Sequence, residues 1–228
     1  MPLLNRSMPQ FEVVEFEKMK LLRATLQGET VRSESGAMHY MLGNIEMQSK
    51  MPGIGKMFKS MATGESVFRP TYTGTGHIFF GPPTFGEYNF LQLNGDAWIL
   101  DRGAYVASDI GINVDAHRNK GLSMIASGEG IFQTKVEGTG IVAYYSDGPV
   151  QEIMLNNQTL TVDGRFAVAR QASLNFETKL LGKGIMSKVS GGEGFVNIIS
   201  GTGKVMLSPI PNLYQGILAS INPFNQTM

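Results

Sequence analysis

The sequence predicts an all-β fold of stacked β-sandwich or β-prism-like units, built from about three internal repeats of roughly 64 residues. Three observations lead to this prediction: a glycine pattern that recurs along the chain, a high glycine content, and short stretches of alternating apolar and polar residues. Of the 228 residues, 28 are glycine. Glycine supplies the positive φ of the tight turns that join short strands.

A glycine-acid pair followed by a GTG element occurs three times. Gly64-Glu65 precedes Gly74-Thr75-Gly76, Gly128-Glu129 precedes Gly138-Thr139-Gly140, and Gly192-Glu193 precedes Gly201-Thr202-Gly203, with the pairs starting 64 residues apart. Upstream of each copy lies a segment typical of a turn, which begins LQGET at Leu26, LNGDA at Leu93 and LNNQT at Leu155. We therefore predict one domain, 1–228, made of three pseudo-repeats at about 10–80, 81–145 and 146–208, with a C-terminal tail at 209–228.

Alternating residues indicate the strands within each copy. Ile112 and Val114 flank Asn113, and Leu174 and Phe176 flank Asn175; Ile45 and Met47 occupy the matching positions of the first copy. Such alternation predicts that one face of each strand packs inward and the other faces solvent. Because short strands are not stable alone, we expect the copies to stack sheet on sheet.

The GTG elements also resemble a phosphate-binding loop. Gly138, Gly140 and Ala143 fit the spacing G-x-G-x-x-A, which in dinucleotide-binding folds precedes a helix. Here the next residues, Ile141 to Tyr145, are typical of a strand and end at the turn SDGP. Repetition at one period favours a structural role for these glycines over a nucleotide site.

Composition and spacing give no indication of an enzyme. The formal net charge is zero and there is no cysteine, which argues against a dedicated duplex-binding protein and against thiolate chemistry. The histidines His39, His77 and His117 lack the spacing of a zinc site, and Asp115 beside His117 is more typical of a surface pair than of a metal site. We predict no catalytic residue, no metal and no cofactor. With no signal peptide and no apolar run of spanning length, a cytoplasmic location is expected.

Each copy also carries a segment that mixes basic and apolar residues around glycine: 49–63, 117–127 and 178–190. The simpler interpretation is an ordered crossover whose apolar side closes one end of the fold while its lysines stay in water. The alternative is a docking face for an anionic membrane surface or an acidic protein partner. Its candidate residues are Lys56, Met57, Phe58, Lys59, Arg118, Lys120, Lys183 and Lys188.

The repeated GEG and GTG elements, the turn LNGDAWILDRGAYVA and the passage KGLSMIASGEGIF resemble the AIM24 family, bacterial proteins similar to the mitochondrial biogenesis factor AIM24. The run from Lys120 to Phe132 is the most specific part of this resemblance. The resemblance implies a β-sandwich that is grouped with the tryptophan RNA-binding attenuator-like superfamily and assembles as an oligomer. It implies no reaction. The first copy departs from the pattern, with Ser66 where the central copy has glycine.

We therefore predict a non-enzymatic scaffold that forms a homo-oligomer, a trimer or a small ring. The alternative is an RNA-binding module, since attenuator proteins bind RNA with repeated lysines and exposed aromatic residues. The apolar neighbours of Phe79, Phe80, Tyr144 and Tyr145 favour buried strand positions instead. A small-molecule or lipid sensor would require a cavity lined by Phe79, Phe80 and Tyr145. Trp98, the only tryptophan, is expected in the core between units.

Overall fold

The computed structural model describes residues 8–17, 19–48, 69–81, 86–119, 132–163, 166–180 and 195–210. These residues form a 12-stranded sheet in which the paired strands are antiparallel. The strands are β1 (Gln10–Phe16), β2 (Met19–Ser33), β3 (Met38–Gln48), β4 (Thr71–Phe80), β5 (Glu87–Leu100), β6 (Tyr105–Asp109), β7 (Ile112–Arg118), β8 (Phe132–Ser146), β9 (Gln151–Asp163), β10 (Ala167–Gln171), β11 (Asn175–Leu180) and β12 (Phe195–Leu207).

The main path through the sheet runs in the order β11-β12-β10-β5-β8-β6-β2-β4-β3. Three strands lie off this path: β1 pairs with β2, β7 with β8, and β9 with β12. The predicted all-β class is confirmed. One hydrogen-bonded network joins all of the described strands, where the sequence predicted separately stacked units. The division into three repeats and the attenuator-like grouping stay predictions.

Three long antiparallel pairs organise the core: β2 with β4, β5 with β8, and β9 with β12. A cluster of buried apolar side chains is centred on each pair. The fully buried members include Leu22 and Ile78 in the first cluster, Leu93 and Val136 in the second, and Ile199 and Val205 in the third. Burying a side chain of this size contributes about 1.5–3 kcal/mol, so the packed faces of these pairs supply most of the driving force for folding.

The predicted alternation is confirmed in the middle of the chain and fails at one position. Ile112 and Val114 are buried while Asn113 is exposed. In the first copy Ile45 is buried but Met47 is 46% exposed. The prediction for Met47 is wrong because β3 ends the main path of the sheet and most of its residues are in contact with solvent. Trp98 is buried as predicted, and its indole nitrogen donates a 2.8 Å hydrogen bond to Asp96.

The GTG elements lie within β4, β8 and β12, and their glycines all have positive φ. In β4 two backbones also approach closely. Gly74 and Gly76 have φ of 145° and 147°, and a Cβ on either would lie 2.1 Å from a carbonyl oxygen of β3. No L-residue with a side chain fits there. After Gly140, β8 continues to Ser146, so the strand predicted after this GTG element is confirmed.

Replacing Gly74 by alanine is expected to lower the free energy of unfolding by about 2–5 kcal/mol, because it adds backbone strain to a clash with β3. The matched control is Gly28→Ala, since Gly28 also has positive φ, 105°, but a Cβ there would meet nothing within 4 Å. The control is expected to cost only about 1–2 kcal/mol. Urea denaturation followed by circular dichroism measures both variants, and equal losses would contradict the close-approach explanation.

Candidate functional site

One of the predicted docking residues lies in the described part of the chain. Arg118 is exposed at the end of β7, directly opposite Phe132 at the start of β8. The other candidates, Lys56, Met57, Phe58, Lys59, Lys120, Lys183 and Lys188, lie outside the described residues. In sequence, the basic segments follow β3 or begin within the last residues of β7 and β11, and each of these strands pairs with the next one, β4, β8 or β12. That they share one face stays a prediction.

Three consecutive apolar residues of β3 are exposed, and their side chains alternate between the two faces of the sheet. Tyr40, Met41 and Leu42 are 41%, 39% and 58% exposed. Among the described residues, β3 pairs with β4 alone, so its other edge offers backbone N–H and C=O groups to a further strand. The Tyr40 ring stacks on Phe79 with 4.2 Å between ring centroids, which fixes the aromatic ring against the sheet. We call Tyr40–Leu42 the β3 edge.

A second unpaired edge lies on β9. Within the described ranges β9 pairs with β12 alone. Thr159 and Thr161 are exposed and Leu160 is half-buried. Its backbone register with β12 is broken by a bulge beside Gly201 and Gly203, and continues beyond it to Asp163. We call residues 160–162 the β9 edge.

A buried polar cluster surrounds Arg170 of β10, which is 5% exposed. The guanidinium donates to Gln133 at 2.8 Å and to Asn119 at 3.1 Å, and the Asn119 amide also donates to Gln133 at 2.8 Å. Its central carbon lies 4.0 Å from the centre of the Phe176 ring. Gln133 in turn donates to Asp101 at 3.2 Å, so the Gln133 amide links the Arg170 guanidinium to the Asp101 carboxylate. The cluster ties the end of β5 and the connected ends of β7 and β8 to β10.

The electrostatics of the Arg170 cluster follow from this burial. Desolvation lowers the pKa of Arg170 to about 10, against the opposing attraction of Asp101. The side chain therefore stays charged at neutral pH. Burial and the charge of Arg170 also lower the pKa of His117, while its hydrogen bond with Asn119 acts in the opposite direction. A neutral His117 beside a buried cation avoids the repulsion between two positive charges.

A related arrangement lies at the junction of β2 and β6. Arg69 forms an ion pair with Glu34 at 3.3 Å and lies over the Tyr105 ring, 5.4 Å from its centre. The Tyr105 hydroxyl donates to the backbone oxygen of Arg32 at 3.2 Å. Burial raises the pKa of Tyr105. Both arginine clusters thus lie where a short strand crosses onto a long strand, and their hydrogen bonds hold strands together.

Asp115 and His117 are the candidates for a metal site, and the aromatic residues Phe79, Phe80, Tyr144 and Tyr145 for stacking on RNA bases. In the described residues, no group of three or more His, Cys, Asp or Glu side chains is arranged to hold a metal ion. The exposed Asp115 accepts a 2.7 Å hydrogen bond from Asn113. Phe79, Phe80 and Tyr144 are buried, as the sequence predicted, so their rings offer no stacking surface for bases. Tyr145, which the sequence also predicted to be buried, is half-buried. Across the same ranges, no helix has the length and apolar character needed to cross a bilayer.

Sequence reasoning missed both the β3 edge and the Arg170 cluster. The run MHYML from Met38 lacks the alternation of a half-buried strand, and this was an available signal. Arg170 directly follows the apolar run AVA at residues 167–169, where a single arginine is equally compatible with an exposed position.

Replacing Arg170 by alanine is expected to lower the free energy of unfolding by about 2–4 kcal/mol, because the buried Asn119 oxygen loses its donor and the Gln133 oxygen keeps only the one from Asn119. The control is Lys179→Ala, which removes a 53% exposed cation paired with Glu177 at 3.1 Å and is expected to cost about 0.5 kcal/mol or less. Thermal and urea denaturation measure both. Similar small losses in the two variants would contradict a structural role for the cluster.

Comparison with known proteins places this fold among uncharacterised relatives. The chain is 29% identical over 223 residues to an uncharacterised protein, M6_Spy0233, of Streptococcus pyogenes serotype M6, covering 93% of this chain and 86% of that protein. The crystal structure of protein SPYM3_0169 from Streptococcus pyogenes matches with a TM-score of 0.76 and 26% identity, covering 93% of this chain and 98% of the other. The family model described as mitochondrial biogenesis AIM24 matches residues 11–210. With that match spanning most of its length, the chain belongs to the AIM24 family.

Proposed function

We propose that this protein is a non-enzymatic scaffold that self-associates through the edge of its sheet and presents its basic segments to an anionic membrane surface in the cytoplasm. The observation that carries the proposal is the exposed apolar β3 edge at the end of the sheet's main path. The sequence-based expectation of a trimer or small ring is retained within this proposal.

The physical argument for association starts from the backbone. An open strand edge presents unpaired hydrogen-bonding groups, and natural proteins blunt such edges with charge, proline or a covering element. The β3 edge has none of these in its own sequence, since Tyr40, Met41 and Leu42 are uncharged. Three large apolar side chains at 39–58% exposure leave surface that association would remove from water.

The non-enzymatic part of the proposal is supported by what the buried polar groups contact. Arg170 is engaged by Gln133 and Asn119, and the Asp109 carboxylate accepts a 2.6 Å hydrogen bond from the backbone of Ile141. Ser146 and Ser208 hydrogen-bond the turn at Gly148. These hydrogen bonds give the buried polar groups a structural role at strand junctions and turns, as expected for a scaffold.

The docking part is supported by the position of Arg118. This exposed cation ends β7, where the chain enters the second basic segment, with Lys120 two residues further on. Basic residues near an anionic leaflet contribute about 1 kcal/mol each, so attraction of several such residues is sufficient for reversible binding. An assembly multiplies these contacts, because each copy brings its own segments to the same surface.

Leu42→Glu is expected to convert the oligomer to a monomer, because a charge would have to be buried in the interface or leave it. The control is Met47→Glu, which places the same charge on an exposed position of the same strand outside the β3 edge. Size-exclusion chromatography with light scattering measures the mass of both variants and of the unchanged chain. If the protein without either substitution stays monomeric up to high concentration, self-association is refuted.

Arg118→Glu combined with Lys120→Glu is expected to reduce flotation with anionic vesicles by at least about tenfold, because two attractive contacts become repulsive. The control has the same change in net charge, Lys135→Glu with Lys204→Glu, at cations that pair with carboxylates on β8 and β9. Flotation is measured with phosphatidylserine-containing and with neutral vesicles. Equal flotation of both double variants would exclude docking through this segment.

Nucleic-acid absorbance in the purified protein would favour the RNA-binding alternative.

A further inference from the structure

Two junctions in the sheet are built in the same way. At the first, β6 pairs with the end of β2, and Val31, Arg32 and Ser33 lie opposite Asp109, Ser108 and Ala107. At the second, β10 pairs with the end of β5, and Trp98, Ile99 and Leu100 lie opposite Gln171, Arg170 and Ala169. In both cases a short strand also pairs with the long strand that follows it, β8 or β12, and crosses onto a preceding long strand.

The GTG elements give a common reference for these junctions. The second glycine of each element lies opposite a leucine: Gly76 opposite Leu26, Gly140 opposite Leu93, and Gly203 opposite Leu155. Counting five residues on from each leucine reaches Val31 and Trp98, the first paired residues of the two junctions, and then Leu160. The β9 edge, residues 160–162, therefore occupies the register at which β2 and β5 each receive a short strand.

The same reference places the β3 edge. The third residue after each second glycine is Phe79, Ala143 or Met206, and these lie opposite Tyr40, Ala107 and Ala169 respectively. Tyr40, Met41 and Leu42 thus correspond in register to Ala107–Asp109 and to Ala169–Gln171. Ala107, Ser108, Asp109, Ala169 and Arg170 are buried, whereas the β3 edge is exposed.

One side-chain position distinguishes the two junctions from β3. Asp109 accepts a hydrogen bond from the backbone N–H of Ile141, and the Gln171 amide oxygen accepts one from that of Lys204 at 2.8 Å. Leu42 stands at the corresponding position and has no side-chain acceptor, and there the backbone of β3 stays paired with β4 at His77. The first unit consequently has a continuous edge strand, and neither the β3 edge nor the β9 edge is covered by a described strand.

We propose that the β3 edge of one copy pairs antiparallel with the β9 edge of a second copy, repeating between chains the junction that occurs twice within the chain. The expected register sets Tyr40 opposite Val162, Met41 opposite Thr161, and Leu42 opposite Leu160. This inference rests on the proposed self-association and specifies its geometry. Because two different surfaces meet, the contact is head-to-tail, and it generates a ring if the rotation closes or a filament if it does not.

The pairing has the chemistry of an added strand. Backbone hydrogen bonds supply affinity, while alternate side chains supply specificity. Leu42 opposite Leu160 gives an apolar cross-strand pair, and Tyr40, held by its stacking on Phe79, is presented at a fixed position. Thr161 then lies opposite Met41. Both residues are exposed, so this position accepts a polar side chain beside an apolar one.

Cysteine cross-linking tests this register, because the chain contains no cysteine of its own. Met41→Cys and Thr161→Cys are made in separate full-length chains and mixed under mild oxidation. Directly opposite residues have Cα atoms about 4.5–5.5 Å apart, which lies within disulfide reach. A cross-linked dimer is expected in the mixture and in neither chain alone. Met47→Cys mixed with Thr161→Cys is the matched control and is expected to give none.

The mass of each sample, measured by light scattering before oxidation, separates failure of this pairing from failure of self-association. An oligomer without the mixed cross-link overturns the β3–β9 pairing and leaves self-association standing. A monomer overturns both. Cross-linking of Met41→Cys to itself overturns the head-to-tail arrangement, because it requires a symmetric contact. In a chain carrying both cysteines, an intramolecular cross-link in a monomer overturns the proposal, because the chain would then close on itself.

Discussion

The positive φ of the GTG glycines is the constraint on which the rest of the sheet depends, and at the first element it is combined with a close approach of two backbones. At Gly74 and Gly76 the strand comes so near to β3 that only hydrogen atoms fit between the chains. The bulges opposite these elements, as between Gln27 and Thr30, change the local register and increase the twist of the pair. Directly beyond this bulge, residues 31–33 of β2 receive the short strand β6, which also pairs with β8.

Crossing strands explain why one hydrogen-bonded network includes three core clusters. β6 and β10 each pair with two long strands, so backbone hydrogen bonds continue from one cluster to the next. Polar side chains fix these crossings at defined positions: Asp109 and Gln171 bind backbone N–H groups, and Arg170 joins three strand ends. A buried cation held by amides is costly to displace, since any shift in register would leave it without acceptors.

The sequence was informative where local chemistry determines structure. Positive φ and close packing restrict the GTG positions to glycine, and alternation around Asn113 reflects a strand with one buried face; both are visible in a short window of residues. The exposure of Met47 and of the β3 edge is of another kind, because it depends on which strand ends the sheet. Likewise, the burial of Arg170 depends on Asn119 and Gln133, which are distant in the sequence. No local pattern encodes these long-range neighbours.

The junctions within the chain and the contact proposed between chains differ in residue composition. The intrachain junctions include Ser108, Asp109, Arg170 and Gln171, whose partners are supplied by the same chain at high effective concentration as it folds. Polar groups can then specify register, because their partners are always present. A contact between separate copies forms and dissociates, and in the free copy each of its groups must remain in water without a partner. Tyr40, Met41 and Leu42 meet this requirement, since an exposed apolar side chain leaves no unpaired charge in the free copy and still favours burial when a strand is added.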